Sequence, residues 1–159
     1  MMKNMKKLAA FVVVLVMLFA LAACSGGSKE VNVDLNAFYN ELAGKYEFSA
    51  HVDTEGEMLE MTYPGISAFT FKQAIFKAPM MSAVVNEIAL VECENTDDAA
   101  AVAKIFEERK QMQADGGAWY PESIEGWKKA QVVTHGNYVA LIAFESADEI
   151  AASFEGLFN

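Results

Sequence analysis

Residues 84–93 read VVNEIALVEC, and residues 138–144 read YVALIAF. Both are apolar at consecutive positions instead of at alternate ones, so each predicts a strand covered on both faces, in the interior of a sheet. Ile88, Ala89, Leu90 and Val91 carry that pattern in the first stretch. Cys93 shares the parity of Ala89 and Val91, opposite Glu92 and Glu94, which marks it as a small buried apolar residue in preference to a reactive thiol.

The flanking chain supplies partners and cover. Residues 69–77 alternate well enough for a strand, and residues 78–82, which contain Pro79, read as a connection. Thr96 caps a long helix with Asp97 and Asp98 in its first turn, where carboxylates favour the positive end of the helix dipole. Val102, Ile105, Phe106 and Met112 make its buried stripe, and Asp115, Gly116 and Gly117 end it. Residues 131–135 join residues 138–144 in a hairpin, because Gly136 at the first central position suits a type II′ turn. Ser146 and Glu149 form a capping box that opens a last helix, buried through Ile150, Phe154, Leu157 and Phe158. Earlier, Asp34 caps a helix with Leu35, Phe38 and Leu42 on one face and Gly44 as its stop. Met58, Leu59 and Met61 suggest a helical turn before Tyr63, Pro64 and Gly65. Together these predict one α+β domain over residues 34–159: a four-stranded, mainly antiparallel sheet covered by helices, as two strand-strand-helix units after an N-terminal helix.

Residues 1–24, MMKNMKKLAAFVVVLVMLFALAAC, are of another kind. Lys3, Lys6 and Lys7 precede an uncharged run over residues 8–23 that is short of the roughly 20 residues a spanning helix needs. Charge followed by a short apolar run is the pattern of a signal peptide, residues 1–23. Leu21, Ala22, Ala23 and Cys24 resemble the lipobox of bacterial lipoproteins. The resemblance implies cleavage before Cys24 and a diacylglyceryl thioether on its sulfur, with palmitate-type chains. Two such chains hold a protein firmly on a membrane where one holds it marginally. The expected location is therefore the extracytoplasmic face of the cell membrane, with residues 24–33 as a flexible tether. Ordinary signal cleavage and an uncleaved anchor are the alternatives.

Without residues 1–23 the chain keeps 9 of its 12 basic side chains and all 22 acidic ones, a formal charge of −13. That balance repels phosphate backbones and argues against a nucleic-acid partner. It also keeps the domain from lying flat on anionic lipid. With Cys24 assigned to lipid, Cys93 stands alone and there is no disulfide framework.

Catalytic patterns are scarce. Neither His51 nor His135 lies in a triad motif, and the sequence has no HExxH, paired CxxC, Walker loop or GxSxG. Soft-metal binding through His51, His135, Cys93 and the methionines is disfavoured by the wide separation of the histidines, and no metal or cofactor is expected. Asp53, Glu55 and Glu57 invite a calcium reading, but Gly56 is misplaced for an EF-hand, so residues 51–60 read mainly as a solvated acidic loop. Arg109 projects between Ile105 and Phe106, inside a buried stripe, where a guanidinium must snorkel or meet a carboxylate. A structural ion pair is the simpler reading and anion binding the alternative. Trp119, Tyr120 and Trp127, near Glu122 and Glu125, make either a sugar-stacking platform or a plug for the core.

Tyr63; Glu87, Ile88 and Ala89; Arg109; Tyr120, Pro121 and Glu122; and Gly136, Asn137, Tyr138 and Val139 give the chain a resemblance to the domain of unknown function 4358 family, bacterial lipoproteins found mainly in Gram-positive bacteria. The resemblance spans approximately residues 34–158; it implies fold and location and carries over no catalytic residue. Two function classes follow. One is a noncatalytic envelope module that binds a ligand or a membrane or wall partner, with Arg109, Trp119, Tyr120 and Trp127 as the contact residues. The other is a cell-wall-modifying or hydrolytic enzyme that uses the Trp119 to Trp127 region with Glu122 and Glu125. A cleft joining that loop to Arg109, with a carboxylate of strongly raised pKa, would favour the enzyme.

Overall fold

The structure, a computed structural model, describes residues 32–48, 50–81 and 83–159. Its sheet has five strands, β1 (His51–Asp53), β2 (Phe71–Pro79), β3 (Glu87–Cys93), β4 (Gln131–His135) and β5 (Tyr138–Ala143). They lie in the order β1-β2-β3-β5-β4, and every neighbouring pair is antiparallel. The helices are α1 (Leu35–Lys45), α2 (Gly56–Thr62), α3 (Thr96–Met112), α4 (Pro121–Lys128) and α5 (Ala147–Gly156).

The two apolar stretches supply β3 and β5, paired at the centre of the sheet, although β3 begins at Glu87 and residues 84–86 stay in the connection before it. Every residue of β5 is buried, and so is every residue of β3 except Glu92. Alternate positions feed two separate cores. Ala89, Val91, Cys93, Val139 and Leu141 pack with Val102 and Phe106 of α3, Trp127 of α4 and Tyr63. Ile88, Leu90, Ala140 and Ile142 pack with Leu35 and Phe38 of α1 and Ile150 and Phe154 of α5. A one-residue slip would exchange the two faces of a strand, so burial on both sides fixes the register. Cys93 is fully buried, and desolvation, reinforced by nearby Asp98 and Glu92, pushes its thiol up to about 11.

The sheet therefore has five strands and not four. The extra one comes from the stretch read as a solvated acidic loop: His51–Asp53 pairs with Lys77–Pro79. An edge strand of three residues keeps its polar side chains wet, so its sequence resembles a loop. Pro79 is correspondingly the last residue of β2 and not part of a connection, and the β2–β3 pairing has already ended at Lys77 and Ile88. Asn95, not Thr96, caps α3, its side chain accepting from the Asp98 N–H at 2.8 Å. The expected capping box on α5 is absent: Ser146 makes no side-chain cap, and Glu149 accepts instead from the Tyr46 hydroxyl at 3.2 Å. Met112 is 48% exposed and not buried, because the chain unwinds into a π turn over Gln113–Gly117 directly after it. The Asp34 cap forms as expected, accepting from the Ala37 N–H at 3.0 Å. The hairpin fits type II′, with Gly136 at φ 58° and no positive φ at Asn137.

No helix among the described residues is long and apolar enough to cross a membrane. The signal segment, Cys24 and residues 25–31 of the tether lie outside the described residues. Val33 packs into the core beside α1.

Candidate functional site

Glu87 opens β3 on the parity of Ala89 and Val91, so its carboxylate enters the α3 side of the sheet and not solvent. Its side chain is 3% exposed. A charge withdrawn that far from water requires partners, and three elements provide them. Arg109, late in α3, donates from Nε to Oε1 at 3.1 Å and from Nη2 to Oε2 at 2.7 Å. Tyr63, the C-cap of α2, donates its hydroxyl to Oε1 at 2.7 Å. Trp127 of α4 places its ring 5.2 Å from the Arg109 guanidinium carbon, a cation–π contact. Burial, then the adjacent Glu87 charge, pushes the Tyr63 phenol well above its ordinary value, so it remains a donor. Burial opposes the charge on Arg109, and the hydrogen bonds and charge of Glu87 outweigh it.

This network forms one wall of a cleft of about 830 Å³. Val52 and Thr54 come to it from the sheet edge, Met58 from α2, Met80 and Met81 from the β2–β3 connection, and Gln113, Gly117, Trp119 and Tyr120 from the chain between α3 and α4. Of the eight large apolar side chains exposed among the described residues, six line this cleft: Val52, Met58, Met80, Met81, Trp119 and Tyr120. Trp119 is 91% exposed. Apolar surface gathered in one place, with flexible thioethers in it, is characteristic of an interaction site.

Close packing sets the walls. Gly116 adopts φ 113°, and a Cβ on Gly117 would stand 2.7 Å from the Met112 carbonyl oxygen. Only a chain without side chains there can turn so tightly, and the turn leads directly to Trp119. The Ser123 hydroxyl donates to the Ala83 carbonyl at 2.7 Å, which ties α4 to the β2–β3 connection. Gly126 lets that connection approach, since a Cβ there would lie 3.0 Å from Val85.

All four residues singled out as contacts, Arg109, Trp119, Tyr120 and Trp127, line this one cleft. Their roles divide: Trp127 is buried beneath Arg109 as a plug, whereas Trp119 and Tyr120 face outward. Glu122 and Glu125 line a different hollow, beside Phe144. Glu125 accepts from Lys128 at 2.6 Å, and that bond and charge hold it below its ordinary range. His51 is occupied on both nitrogens, by the Tyr39 hydroxyl at 2.9 Å and Asn86 Oδ1 at 2.6 Å, and stacks on Phe48. His135 stacks on Phe158 at 4.1 Å. Among the described residues no group of three His, Cys, Asp or Glu is placed to hold a metal ion.

Sequence reasoning missed Glu87 and Tyr63 as members of the site. The signal for Glu87 was its parity, a carboxylate in step with Ala89 and Val91, opposite a misplaced positive charge at Arg109. With both Glu87 oxygens engaged, the cleft offers apolar grip at its mouth and a neutral polar wall inside, a surface suited to holding a partner.

No curated protein and no solved structure matches the chain. The model of the family described as Domain of unknown function (DUF4358) matches residues 45–144, a span that holds all five strands, the Tyr63–Glu87–Arg109 network and the cleft, and the chain belongs to that family.

Proposed function

We propose that this protein is an extracytoplasmic lipoprotein, anchored through lipid on Cys24, whose domain is a noncatalytic envelope module that binds a ligand or partner in the cleft. The observation that carries the reading is the concentration of exposed methionines and aromatics around a cleft whose only deep carboxylate, among the described residues, is already held by Arg109 and Tyr63. A carboxylate so engaged is a poor proton shuttle. The wall-modifying or hydrolytic alternative gains from the cleft, which does join the aromatic loop to Arg109. It loses from Glu125, whose pKa the bond and charge of Lys128 lower instead of raising, and from the position of Glu122 and Glu125 outside the cleft.

The test is photo-crosslinking in living cells from the full chain, with the reactive side chain at position 119 or, as a control, at position 104 beside β4 on the far sheet edge. A discrete partner captured from 119 alone, unaffected by Glu122→Gln and Glu125→Gln, is the expected result. Equal capture from both positions, or turnover of wall fragments that disappears in Glu122→Gln, would overturn it.

A further inference from the structure

The cleft opens beside a sheet edge that no other strand covers among the described residues. Among the described residues β1 is the outermost strand there and pairs only with β2, Val52 standing opposite Ala78. The Thr54 N–H donates to the Phe76 carbonyl at 3.0 Å, so Thr54–Phe76 is a hydrogen-bonded pair of the ladder. Alternation along an antiparallel ladder puts Val52–Ala78 in the same class and turns the N–H and C=O of His51 and Asp53 away from β2. Those four groups make no hydrogen bond with any described residue. Water reaches the edge, for Val52 is 42% exposed and the Asp53 side chain 63%.

We infer that the occupant of the cleft is an extended segment of a partner polypeptide, with alternating apolar and basic side chains, that adds to β1 as a sixth strand. The inference rests on the binding reading above and names the partner's chemistry. A sugar or small organic ligand would fill the cleft and leave the row of donors and acceptors on β1 unused. An added strand satisfies that row and sends every second side chain over the cleft, among Val52, Met58 and Trp119. Methionines adapt to varied apolar side chains, so the pocket tolerates sequence variety in what it holds. Charge selects the sign of the rest. Asp53 is balanced by Lys77 at 2.6 Å and Glu87 by Arg109 at 2.7 Å. Glu55 and Glu57, just beyond β1, pair with no lysine or arginine among the described residues, and the chain as a whole carries −10. A basic segment is attracted to that edge and an acidic one repelled.

The test uses the full chain in nanodiscs of zwitterionic lipid, with empty discs as the blank. The probes are dye-labelled nonapeptides alternating Val with Lys, Val with Glu, and the Val–Lys peptide N-methylated throughout. Binding of the Val–Lys peptide about tenfold tighter than either of the others is expected. Asp53→Pro removes an outward N–H that makes no internal bond, and edge strands accept proline there. Asp53→Ala removes the same carboxylate but keeps the N–H, so Asp53→Pro should bind about tenfold more weakly than Asp53→Ala. If the methylated peptide binds as well as its parent, or Asp53→Pro binds as well as Asp53→Ala, strand addition is overturned, and the cleft reading stands so long as position 119 still captures a partner. Failure of the Val–Lys peptide to bind overturns the inference too, and failure of the crosslink as well brings down the cleft reading with it. Should Asp53→Pro lower the melting temperature, the methylated peptide carries the test alone.

Discussion

Glu87 and Arg109, 22 positions apart in the chain, meet through two parallel hydrogen bonds of 3.1 and 2.7 Å with their side chains only 3% and 15% exposed. A pair so withdrawn from water is tolerant of joint replacement and intolerant of losing one member, because the survivor is left as an uncompensated buried charge. Arg109→Ala and Glu87→Ala should each cost about 3–5 kcal/mol. For a domain of this size that lowers the melting temperature by roughly 10 °C or more. Because the buried Tyr63 hydroxyl also donates to Glu87, the joint replacement Glu87→Leu, Arg109→Met and Tyr63→Phe should recover most of the loss. Thermal melts followed by circular dichroism check both statements, and an unchanged melt in Arg109→Ala would show that the pair is not what holds α3 to β3.

His51 gives the fold a dependence on acid. Burial, opposed only in part by the hydrogen bonds that Nε2 donates to the Asn86 oxygens, holds its pKa below the ordinary value of 6.5. The unfolded chain therefore takes up this proton first as the pH falls. The stability it contributes is fully present above 6.5 and is lost as the pH drops through 6.5 toward the folded value. Going from about pH 7.5 to about pH 5 should lower the melting temperature more in the native chain than in His51→Gln. Paired melts at the two pH values measure the difference, and equal drops would remove His51 as a cause.

The π turn offers a test of how the rim is positioned. Gly117→Ala would drive a Cβ to 2.7 Å from backbone oxygen, where nothing flexible can yield. The expected cost is about 1–3 kcal/mol, together with a change in acrylamide quenching of Trp119 as the turn opens. Gly44→Ala is the control. Its Cβ would meet nothing within 4 Å, and it lies within α1. That change should raise stability by about 0.5–1 kcal/mol.

Cys24→Ala addresses the anchor. The variant should lose incorporation of a palmitate analogue and leave the membrane fraction or accumulate as uncleaved precursor. Labelling at the native level in the variant would refute lipidation at this cysteine.

Much of the architecture was legible because burial on both faces leaves an unambiguous mark. Residues 88–91 and 138–143 could be placed inside a sheet from their apolar runs alone, and Arg109 stood out as a cation in an apolar stripe. β1 was not legible, since three residues reading HVD carry no period and owe their conformation to β2. The Asp34 cap held, and the caps read at Thr96 and Ser146 failed for a backbone reason. Asn95 and Thr96 are both competent caps, and the extended φ of −152° at Asn95 selects it. Ser146, at φ −101° and ψ 35°, is not extended and cannot close its box. The cleft had no local signature, because Val52, Met80, Arg109 and Trp119 are brought together only by strand pairing and helix packing.

The order of the sheet governs when the molecule becomes firm. Val91 finds its cross-strand neighbour in Val139, about fifty residues further on, with two helices and an outer strand intervening. A growing chain that stops short of residue 138 holds one half of the central ladder, with both oily layers missing a wall. Long-range closure of this kind comes late and all together. The polypeptide stays pliable until β5 arrives and hardens once that strand is seated beside β3.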